Sequence, residues 1–289
     1  MREIRDSRII QIDVTNRCEN RCSNCTRMLA HHPRRYDMTP EQFERAVKSL
    51  DGYKGIVGVF GGNPTLNPHF NRLCEILRQF VPDKARRGLW CNKLNGHGPI
   101  IDMTFGYKNL NVHGDADAAA EMRRDLYRPL IHGETECWHK PSMVALRDMV
   151  EDESKWPEII DHCPIANRWS AIIGVDSGGM LVCYPCEVMS AWDWVAGDTR
   201  GNPLADGWWD WSIAEWTIWF DAFCPDCGLC LDLPARRDTD CLDDVSETHR
   251  EQAGVRGVLY TGLVGTAEQG DTLDYTLSRS RGRGRKLQQ

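Results

Sequence analysis

Apolar positions in the first 130 residues follow strand-like and helix-like spacing in turn. Short β-branched runs at 8–14 and 55–60 are typical of buried strands. Between them, Thr39-Pro40-Glu41-Gln42 is a capping-box sequence with proline at the first helical position. A second helix is predicted to begin at Asn67-Pro68, because apolar residues follow at helical spacing. The order predicts βα units, which pack as a parallel sheet covered by helices.

Further elements continue this order to about residue 160. Strands are predicted at 88–92, 109–113 and 143–148, with a helix near 116–129 between the last two. Five or six βα units are too few for an eight-fold barrel, so we expect an α/β fold in the form of a partial, open βα barrel. Functional residues of such folds lie on the loops after the strands.

The pattern changes after residue 160. A hairpin is predicted from 169 to 182 around the turn Asp176-Ser-Gly-Gly179, and cysteine pairs with a tryptophan-rich stretch follow. Such a segment has a thin core and needs metal ligands for stability. We therefore predict a partial barrel at 1–160, a small cysteine-rich domain at 161–250 and a C-terminal extension at 251–289.

Composition limits the class of protein. The net charge of −7 argues against broad nucleic-acid affinity of the body of the protein, and no apolar run is long enough to span a membrane. The first residues lack the apolar core of a signal peptide, so we expect a cytoplasmic protein. In that reducing compartment, clustered cysteines are typical of metal ligands, and many of the 13 cysteines are clustered.

The first cluster is Cys18-Glu-Asn-Arg-Cys22-Ser-Asn-Cys25, directly after the first predicted strand. Three thiolates can hold three irons of a cubane [4Fe–4S] cluster and leave the fourth iron open to another ligand. A structural zinc site needs four ligands. The alternative is a zinc knuckle that His31 or His32 completes.

Two segments resemble a known family. Val14-Thr-Asn-Arg-Cys18 through Cys25-Thr-Arg27 closely resembles the first-strand signature of the radical S-adenosylmethionine (SAM) superfamily. Gly61-Gly62-Asn63-Pro64-Thr65-Leu66 resembles its second signature, usually Gly-Gly-Glu-Pro-Thr-Leu. The resemblance implies an enzyme whose [4Fe–4S] cluster and SAM generate a 5′-deoxyadenosyl radical, which takes a hydrogen atom from the substrate. It also implies an electron donor such as flavodoxin or ferredoxin.

The resemblance assigns residues as well. Cys18, Cys22 and Cys25 would bind the cluster. The candidates for binding SAM are Gly61, Gly62, Asn63, Pro64, Asn92, His113 and Asp115. The two glycines would allow close backbone approach to the methionine part of SAM, whereas the last three are equally readable as polar loop residues.

Two departures from the family pattern concern Asn63 and Asn24. The family usually has Glu at position 63, and an amide can accept a hydrogen bond from the SAM ammonium only without charge assistance. SAM binding is then weaker, or another carboxylate compensates. Asn24 replaces a residue that is commonly aromatic and packs near adenine. Cys91 is a candidate hydrogen-atom donor, or a small buried residue.

A second cysteine set resembles the auxiliary-cluster domains called SPASM and twitch. Fourteen residues separate Cys163 from Gly178 and four separate Gly178 from Cys183. The later ligands would be Cys224, Cys227 and Cys230, with Cys186 and Cys241 as further candidates. The set favours one [4Fe–4S] cluster of the twitch type. A zinc ribbon built from Cys183-Tyr-Pro-Cys186 and Cys227-Gly-Leu-Cys230 stays open.

The substrate is not specified by these motifs. We expect oxidation or rearrangement of a small molecule or nucleotide, and the basic tail at 279–286 extends this to a nucleobase within a nucleic acid. A peptide-modifying enzyme is an alternative, although a strand at residue 8 leaves no room for the N-terminal peptide-recognition domain of such enzymes. The second alternative is a non-enzymatic protein with the same scaffold that binds metal or transfers electrons.

Overall fold

The predicted alternation of strands and helices is present from the start of the chain. A computed structural model describes residues 1–260 except positions 169, 198–200 and 256. The first elements are β1 (Ile9–Asp13), α1 (Pro40–Lys48), β2 (Ile56–Phe60), α2 (Phe70–Phe80), β3 (Arg87–Cys91), α3 (Gly98–Thr104), β4 (Tyr107–Asn111), α4 (Ala116–Asp125) and β5 (Leu130–His132). The expected α/β class is therefore confirmed.

Shorter elements follow in the cysteine-rich part of the chain. They are β6 (Trp138–His139), α5 (Leu146–Met149), α6 (Trp156–Asp161), α7 (Pro164–Arg168), β7 (Ser170–Val175), β8 (Leu181–Tyr184), α8 (Glu187–Ala196), β9 (Asn202–Pro203), α9 (Thr217–Phe223), β10 (Arg236–Arg237), β11 (Asp244–Val245), α10 (Glu247–Ala253) and β12 (Val258–Leu259).

One sheet joins both halves of the chain. Within the described residues its strand order is β5-β4-β3-β2-β1-β7-β8-β9. β1 is central and pairs in parallel with both β2 and β7, and β8 and β9 continue the sheet in antiparallel pairing. Because β1 to β5 and β7 are parallel, their carboxyl ends lie at one edge. The loops after β1, β2, β3 and β4 therefore meet there.

Local sequence explains the first helix and the hairpin. Thr39 Oγ1 accepts a hydrogen bond from the Gln42 amide at 3.2 Å, and Gln42 Oε1 accepts one from the Thr39 amide at 3.0 Å, as a capping box requires. In the turn between β7 and β8, Asp176 Oδ1 accepts from the Met180 amide at 2.8 Å. Gly179 has φ +90°, a conformation that glycine adopts without strain.

The strand predicted at 143–148 is wrong. Residues 143–145 are irregular, and α5 begins at Leu146. The apolar run is nevertheless fully buried, and C-terminal residues satisfy its backbone: the Ser246 amide donates to Met143 O at 2.9 Å. Burial alone therefore produced the strand-like pattern. The fifth parallel strand is instead the short, partly exposed β5, which was not predicted.

The two predicted domains share the sheet. Met1–Leu259 form one compact unit, within which β1 and β7 pair across the predicted boundary at 160. The division at 1–160, 161–250 and 251–289 stays a prediction. Residues 261–289, which include the basic tail, lie outside the described residues. Among the described helices, none has the length and hydropathy needed to cross a bilayer.

Candidate metal and cofactor site

The three cysteines of the CxxxCxxC loop lie after β1, at the centre of the carboxyl edge of the sheet. Cys18, Cys22 and Cys25 all border a cavity of about 320 Å³. Burial is the main cause that raises the pKa of each thiol, to about 11 for Cys18. Without a metal these groups are neutral, whereas a bound metal deprotonates its thiol ligands.

The spacing of these thiols is too wide for one zinc ion. Sulfur ligands of a single zinc lie about 4 Å apart, because each zinc–sulfur bond is about 2.3 Å. Among the described residues, no group of three ligand atoms that all lie within 4.8 Å of one another contains two cysteines of this loop; Cys22 belongs to one such group, with His113 and Asp238. A cluster of several irons is larger, and its thiolate ligands lie farther apart than those of one zinc ion.

The two histidines of the zinc-knuckle alternative have other contacts. His31 Nε2 lies 2.8 Å from Asp243 Oδ2. His32 Nδ1 lies 3.0 Å from Asn16 Nδ2, and its ring stacks on Trp194. Burial lowers the pKa of His32 to about 3. Neither histidine joins the cysteines in a group of the size that one ion requires.

Asn63 lies beside a carboxylate of the cysteine loop. Its Nδ2 donates to Glu19 at 3.1 Å to Oε1 and 3.0 Å to Oε2. Asn95 Nδ2 also donates to this carboxylate, and Glu19 borders the same cavity as the three cysteines. A negative charge is therefore present next to the position where the family usually has Glu.

Two buried amide oxygens at this edge lack partners. Asn63 Oδ1 and Asn92 Oδ1 have no hydrogen-bond partner within the part of the chain that the structure describes. Asn92 Nδ2 donates to Cys18 Sγ at 3.7 Å, so its amide lies against the loop. Unsatisfied buried oxygens are costly, and both suit the hydrogen-bond donors of a polar ligand.

The structure shows why residues 61 and 62 are both glycine. A Cβ at Gly61 would lie 2.4 Å from Thr15 O, and a Cβ at Gly62 would lie 2.2 Å from Arg17 O. The Gly62 and Asn63 amides donate to these same carbonyls. The close approach in the structure is therefore between two backbone segments, so the glycines hold the cysteine loop against the end of β2.

Three other predicted residues have structural contacts. Asp115 caps α4 by accepting from the Ala118 amide at 2.9 Å, and it pairs with Lys93 at 2.9 Å. Pro64 is buried and begins a short 3₁₀ turn, Pro64–Leu66. Cys91 is buried at the end of β3 among core side chains, which fits the reading as a small packing residue.

Asn24 connects the cysteine loop to β11. Its φ of 49° is left-handed, a conformation that asparagine tolerates better than an aromatic residue. Its backbone amide donates to Asp243 Oδ1 at 2.6 Å, and its side chain exchanges hydrogen bonds with Asp244 at 2.8 and 2.9 Å. The amide side chain is thus used for joining segments 220 residues apart in sequence.

His113 lies between the cysteine loop and a second polar group. Its Nδ1 is 2.7 Å from Asp238 Oδ2 and 3.6 Å from Cys22 Sγ. Cys137 and His139 are close to it, with Cys137 Sγ 3.4 Å from His139 Nε2. Burial raises the pKa of Cys137, but hydrogen bonds from His113, His139 and Asn111 outweigh burial and lower it to about 6.

A second group of five cysteines surrounds a narrow apolar cavity of about 40 Å³. They are Cys163, Cys186, Cys224, Cys227 and Cys230. All five are free thiols, and burial is the first cause that raises the pKa of each. No three of them lie within 4.8 Å of one another among the described residues, so their spacing also favours a cluster over one zinc ion.

Cys183 and Cys241 lie elsewhere, contrary to the predicted ligand set. Cys183 is fully buried in β8, and its Sγ contacts Asn202 of β9 at 3.5 and 3.6 Å. Cys186, three residues later at the start of α8, borders the cavity instead. Cys241 is exposed. The zinc-ribbon alternative also required Cys183, so the structure does not assemble it.

The sequence did not single out Glu19, Cys137, His139 and Asp238 as site residues. Glu19 is adjacent to Cys18, but its place in the site depends on its hydrogen bond with Asn63, which is 44 residues away in the chain. Cys137-Trp-His139 is a Cys-x-His pair, which is too common a spacing to predict a site by itself. Asp238 is linked to His113 across 125 residues, and no local pattern predicts such a contact.

Comparisons with known proteins found one family that matches part of the chain. Residues 12–125 match the family described as "Radical SAM superfamily". This segment contains the cysteine loop, the glycine pair and Asn63. A comparison with curated proteins found no match.

Two solved structures are similar at low sequence identity. "BtrN in complex with AdoMet and 2-DOIA" has a TM-score of 0.46 and 15% identity, with 78% of this chain and 92% of that chain covered. "Streptococcus suis SuiB bound to precursor peptide SuiA" has a TM-score of 0.38 and 13% identity, with 78% and 70% covered. These TM-scores are too low to support an argument about fold or substrate.

Proposed function

We propose that this chain, whose residues 12–125 match the radical SAM superfamily, cleaves SAM reductively and abstracts a hydrogen atom from a small-molecule or nucleotide substrate. A bound cluster and SAM would supply the radical. The chain's own residues would bind the two groups, orient SAM and exclude water from them. An electron donor such as flavodoxin or ferredoxin would be its partner.

The observation that supports this function best is that three thiols border one cavity at the carboxyl edge of the sheet. Cys18, Cys22 and Cys25 would hold three irons and leave one iron open. The unpartnered oxygens of Asn63 and Asn92 supply acceptors beside the same loop. The thiols therefore fit an iron–sulfur cluster, and the polar side-chain atoms fit SAM.

Glu19 removes the main argument against SAM binding. Asn63 has no charge, but it holds the Glu19 carboxylate at 3.0 Å, and that carboxylate borders the cavity. A carboxylate stabilises an ammonium group through a charge-assisted hydrogen bond. We therefore assign recognition of the SAM ammonium to Glu19 together with Asn63. The non-enzymatic alternative depended on the missing charge and loses its support.

The second cysteine group would hold an auxiliary [4Fe–4S] cluster. Four of the five thiols around the apolar cavity are enough for a cubane. With four protein ligands this cluster would relay electrons, and with three it would have an iron that can bind substrate. Either role suits oxidation or rearrangement of a carbon-centred radical.

Triple replacement of Cys18, Cys22 and Cys25 by alanine tests the proposal. Because thiolates are the only suitable iron ligands in that loop, we expect SAM cleavage to fall to background in the reduced, anaerobically reconstituted protein. About four irons should remain in the second site. The measurement is 5′-deoxyadenosine formed per chain, with iron analysis of the same samples.

Cys74→Ala is the matched control, because this cysteine is buried in α2 and packs in the core. It should keep both iron content and SAM cleavage. Undiminished 5′-deoxyadenosine formation by the triple variant would contradict the proposed function.

A further inference from the structure

A group of three side chains of metal-ligating types lies beside the cysteine loop. We propose that His113, Cys137 and His139 bind one divalent transition-metal ion of the zinc class, in addition to the metals of the two cysteine groups; His113 also lies within 4.8 Å of Cys22 and Asp238. One ligand atom from each residue lies within 4.8 Å of the other two. They come from the loop after β4, the loop after β5 and strand β6, so only the fold brings them together.

Hydrogen bonds outside this trio orient both imidazoles for coordination. His139 Nδ1 lies 2.9 Å from Ser23 O, and a carbonyl only accepts, so Nδ1 carries the hydrogen. The lone pair is then on Nε2, which faces Cys137 Sγ at 3.4 Å. Histidines that bind metals typically donate their second nitrogen to a carbonyl or a carboxylate in this way.

The second imidazole, that of His113, is oriented in the same way, but by a carboxylate instead of a backbone carbonyl. Its Nδ1 contacts Asp238 Oδ2 at 2.7 Å, and the Asp238 side chain is buried. A buried carboxylate on one ring nitrogen sets the tautomer and makes the other nitrogen a better ligand. Asp238 itself is held because the Thr239 amide donates to its Oδ1 at 2.8 Å.

The third ligand is a soft one. Asn111 Nδ2 donates to Cys137 Sγ at 3.2 Å, which stabilises a thiolate. Two imidazoles and one thiolate prefer zinc, cobalt or iron over magnesium or calcium. Three protein ligands leave one tetrahedral position open, as in catalytic rather than structural zinc sites.

The open position would take water or an oxygen of the substrate. His113 Nδ1 is 3.6 Å from Cys22 Sγ, so the ion would lie next to the proposed SAM cluster. An ion there would act as a Lewis acid that anchors a hydroxyl or carboxylate group of the substrate. This last role rests on the proposed function, whereas the metal site itself does not.

Cobalt(II) is a direct probe of this site. The full chain, with its iron–sulfur clusters reconstituted, is titrated anaerobically with cobalt chloride and followed by absorption. We expect one equivalent to bind with a sulfur-to-cobalt charge-transfer band and tetrahedral d–d bands. Cys137→Ser and His139→Ala should each weaken binding at least tenfold and remove the charge-transfer band or alter the d–d bands. Asp238→Asn should weaken it about ten- to a hundredfold with the band retained.

The control is Cys241→Ser, an exposed cysteine outside the trio, which should bind cobalt as the unmodified chain does. Circular dichroism and iron content confirm that each variant is folded and loaded. Unchanged affinity and spectrum in Cys137→Ser would overturn the proposal. So would a loss of iron in that variant, because Cys137 would then be a cluster ligand. SAM cleavage is not a readout here, so a failure of the proposed function leaves the test intact.

Discussion

At the scale of single residues, the contact between Asn63 and Glu19 decides where the negative charge of the candidate cofactor site lies. The amide of Asn63 donates to both carboxylate oxygens of Glu19. An acidic residue at position 63 would instead place two carboxylates about 3 Å apart, which disfavours ionisation of both. The asparagine is thus matched to the acidic residue in the cysteine loop.

Glu19→Gln should weaken SAM binding about ten- to a hundredfold. The lost charge-assisted hydrogen bond is worth about 1.5–3 kcal/mol. Asn63→Glu alone should also weaken binding, because the new carboxylate repels Glu19. The double variant Glu19→Gln, Asn63→Glu should have an affinity for SAM within a few-fold of that of the unmodified chain. It moves the negative charge from position 19 to position 63 and keeps one amide–carboxylate hydrogen bond. Equilibrium binding to the cluster-loaded protein measures all three.

Glu75→Gln, an exposed carboxylate on α2 that pairs with Arg72, is the control and should not change affinity. Tighter binding by the single Asn63→Glu variant would show that Glu19 does not face the ammonium group.

At the scale of secondary-structure elements, the change from β8 to α8 decides which of two cysteines borders the second cavity. Within β8, Cys183 pairs with Ile173 of β7, and its thiol contacts Asn202 on the neighbouring strand β9. Cys186 stands directly before α8, outside the regular sheet, where its thiol borders the cavity. The sequence spacing from Gly178 predicted Cys183 as the metal ligand, whereas the position of Cys186 after the end of β8 places its thiol at the cavity.

Replacing Cys186, Cys224 and Cys227 together by alanine should lower the iron content from about eight to about four per chain, because only two of the five thiols around the cavity remain, too few to hold a cubane cluster. Cys183→Ala should keep about eight irons, because its thiol does not border that cavity. Iron and sulfide analysis with Mössbauer spectroscopy distinguishes the outcomes. One stoichiometric zinc with only four irons in the unmodified chain would instead support a structural zinc site.

At the scale of the whole molecule, buried polar contacts join the two halves of the chain. Arg27, just after the cysteine loop, pairs with buried Asp13 and donates to Ser190 Oγ of α8 at 2.9 Å. Asn24 holds Asp243 and Asp244 near the C-terminal end of the compact unit. Together with the pairing of β1 and β7, these contacts favour cooperative unfolding of residues 1–259.

Acid should destabilise this unit through buried His249. Its ring packs edge-on against Trp192 at 4.4 Å between centroids, and burial lowers its pKa to about 4. The unfolded chain, with a histidine pKa of about 6.5, binds this proton first as pH falls. Stability is therefore lost between about pH 6.5 and pH 4, by about 2 kcal/mol from pH 7 to pH 5.

Urea unfolding of the unmodified chain and of His249→Leu at pH 7 and pH 5 measures this contribution. The variant should show a smaller loss of unfolding free energy on acidification. His132→Leu, at an exposed histidine of β5, is the control. Equal pH dependence in the unmodified chain and His249→Leu would show that His249 is not the acid-sensitive group.

Much of the fold was predictable because its signals are local. The capping box at Thr39, the turn at Asp176 and the periodicity of α2 depend on residues within a few positions of one another. The cysteine loop and the glycine pair are also short motifs, and they were sufficient to predict a radical SAM segment. The strand wrongly predicted at 143–148 shows the limit: an apolar run indicates burial, not the conformation of the buried backbone.

Only the tertiary structure decided which distant residues share a site. Glu19 meets Asn63, His113 meets Cys137 and His139, and Asn24 meets Asp243, each through the packing of segments that are distant in sequence. Cys186 rather than Cys183 borders the second cavity for the same kind of reason. Local sequence sets the conformation of short segments, but contacts between segments depend on the path of the whole chain and on which side chains the core buries. The sequence therefore predicted the class of cofactor, and the fold decided the arrangement of charge and candidate ligands.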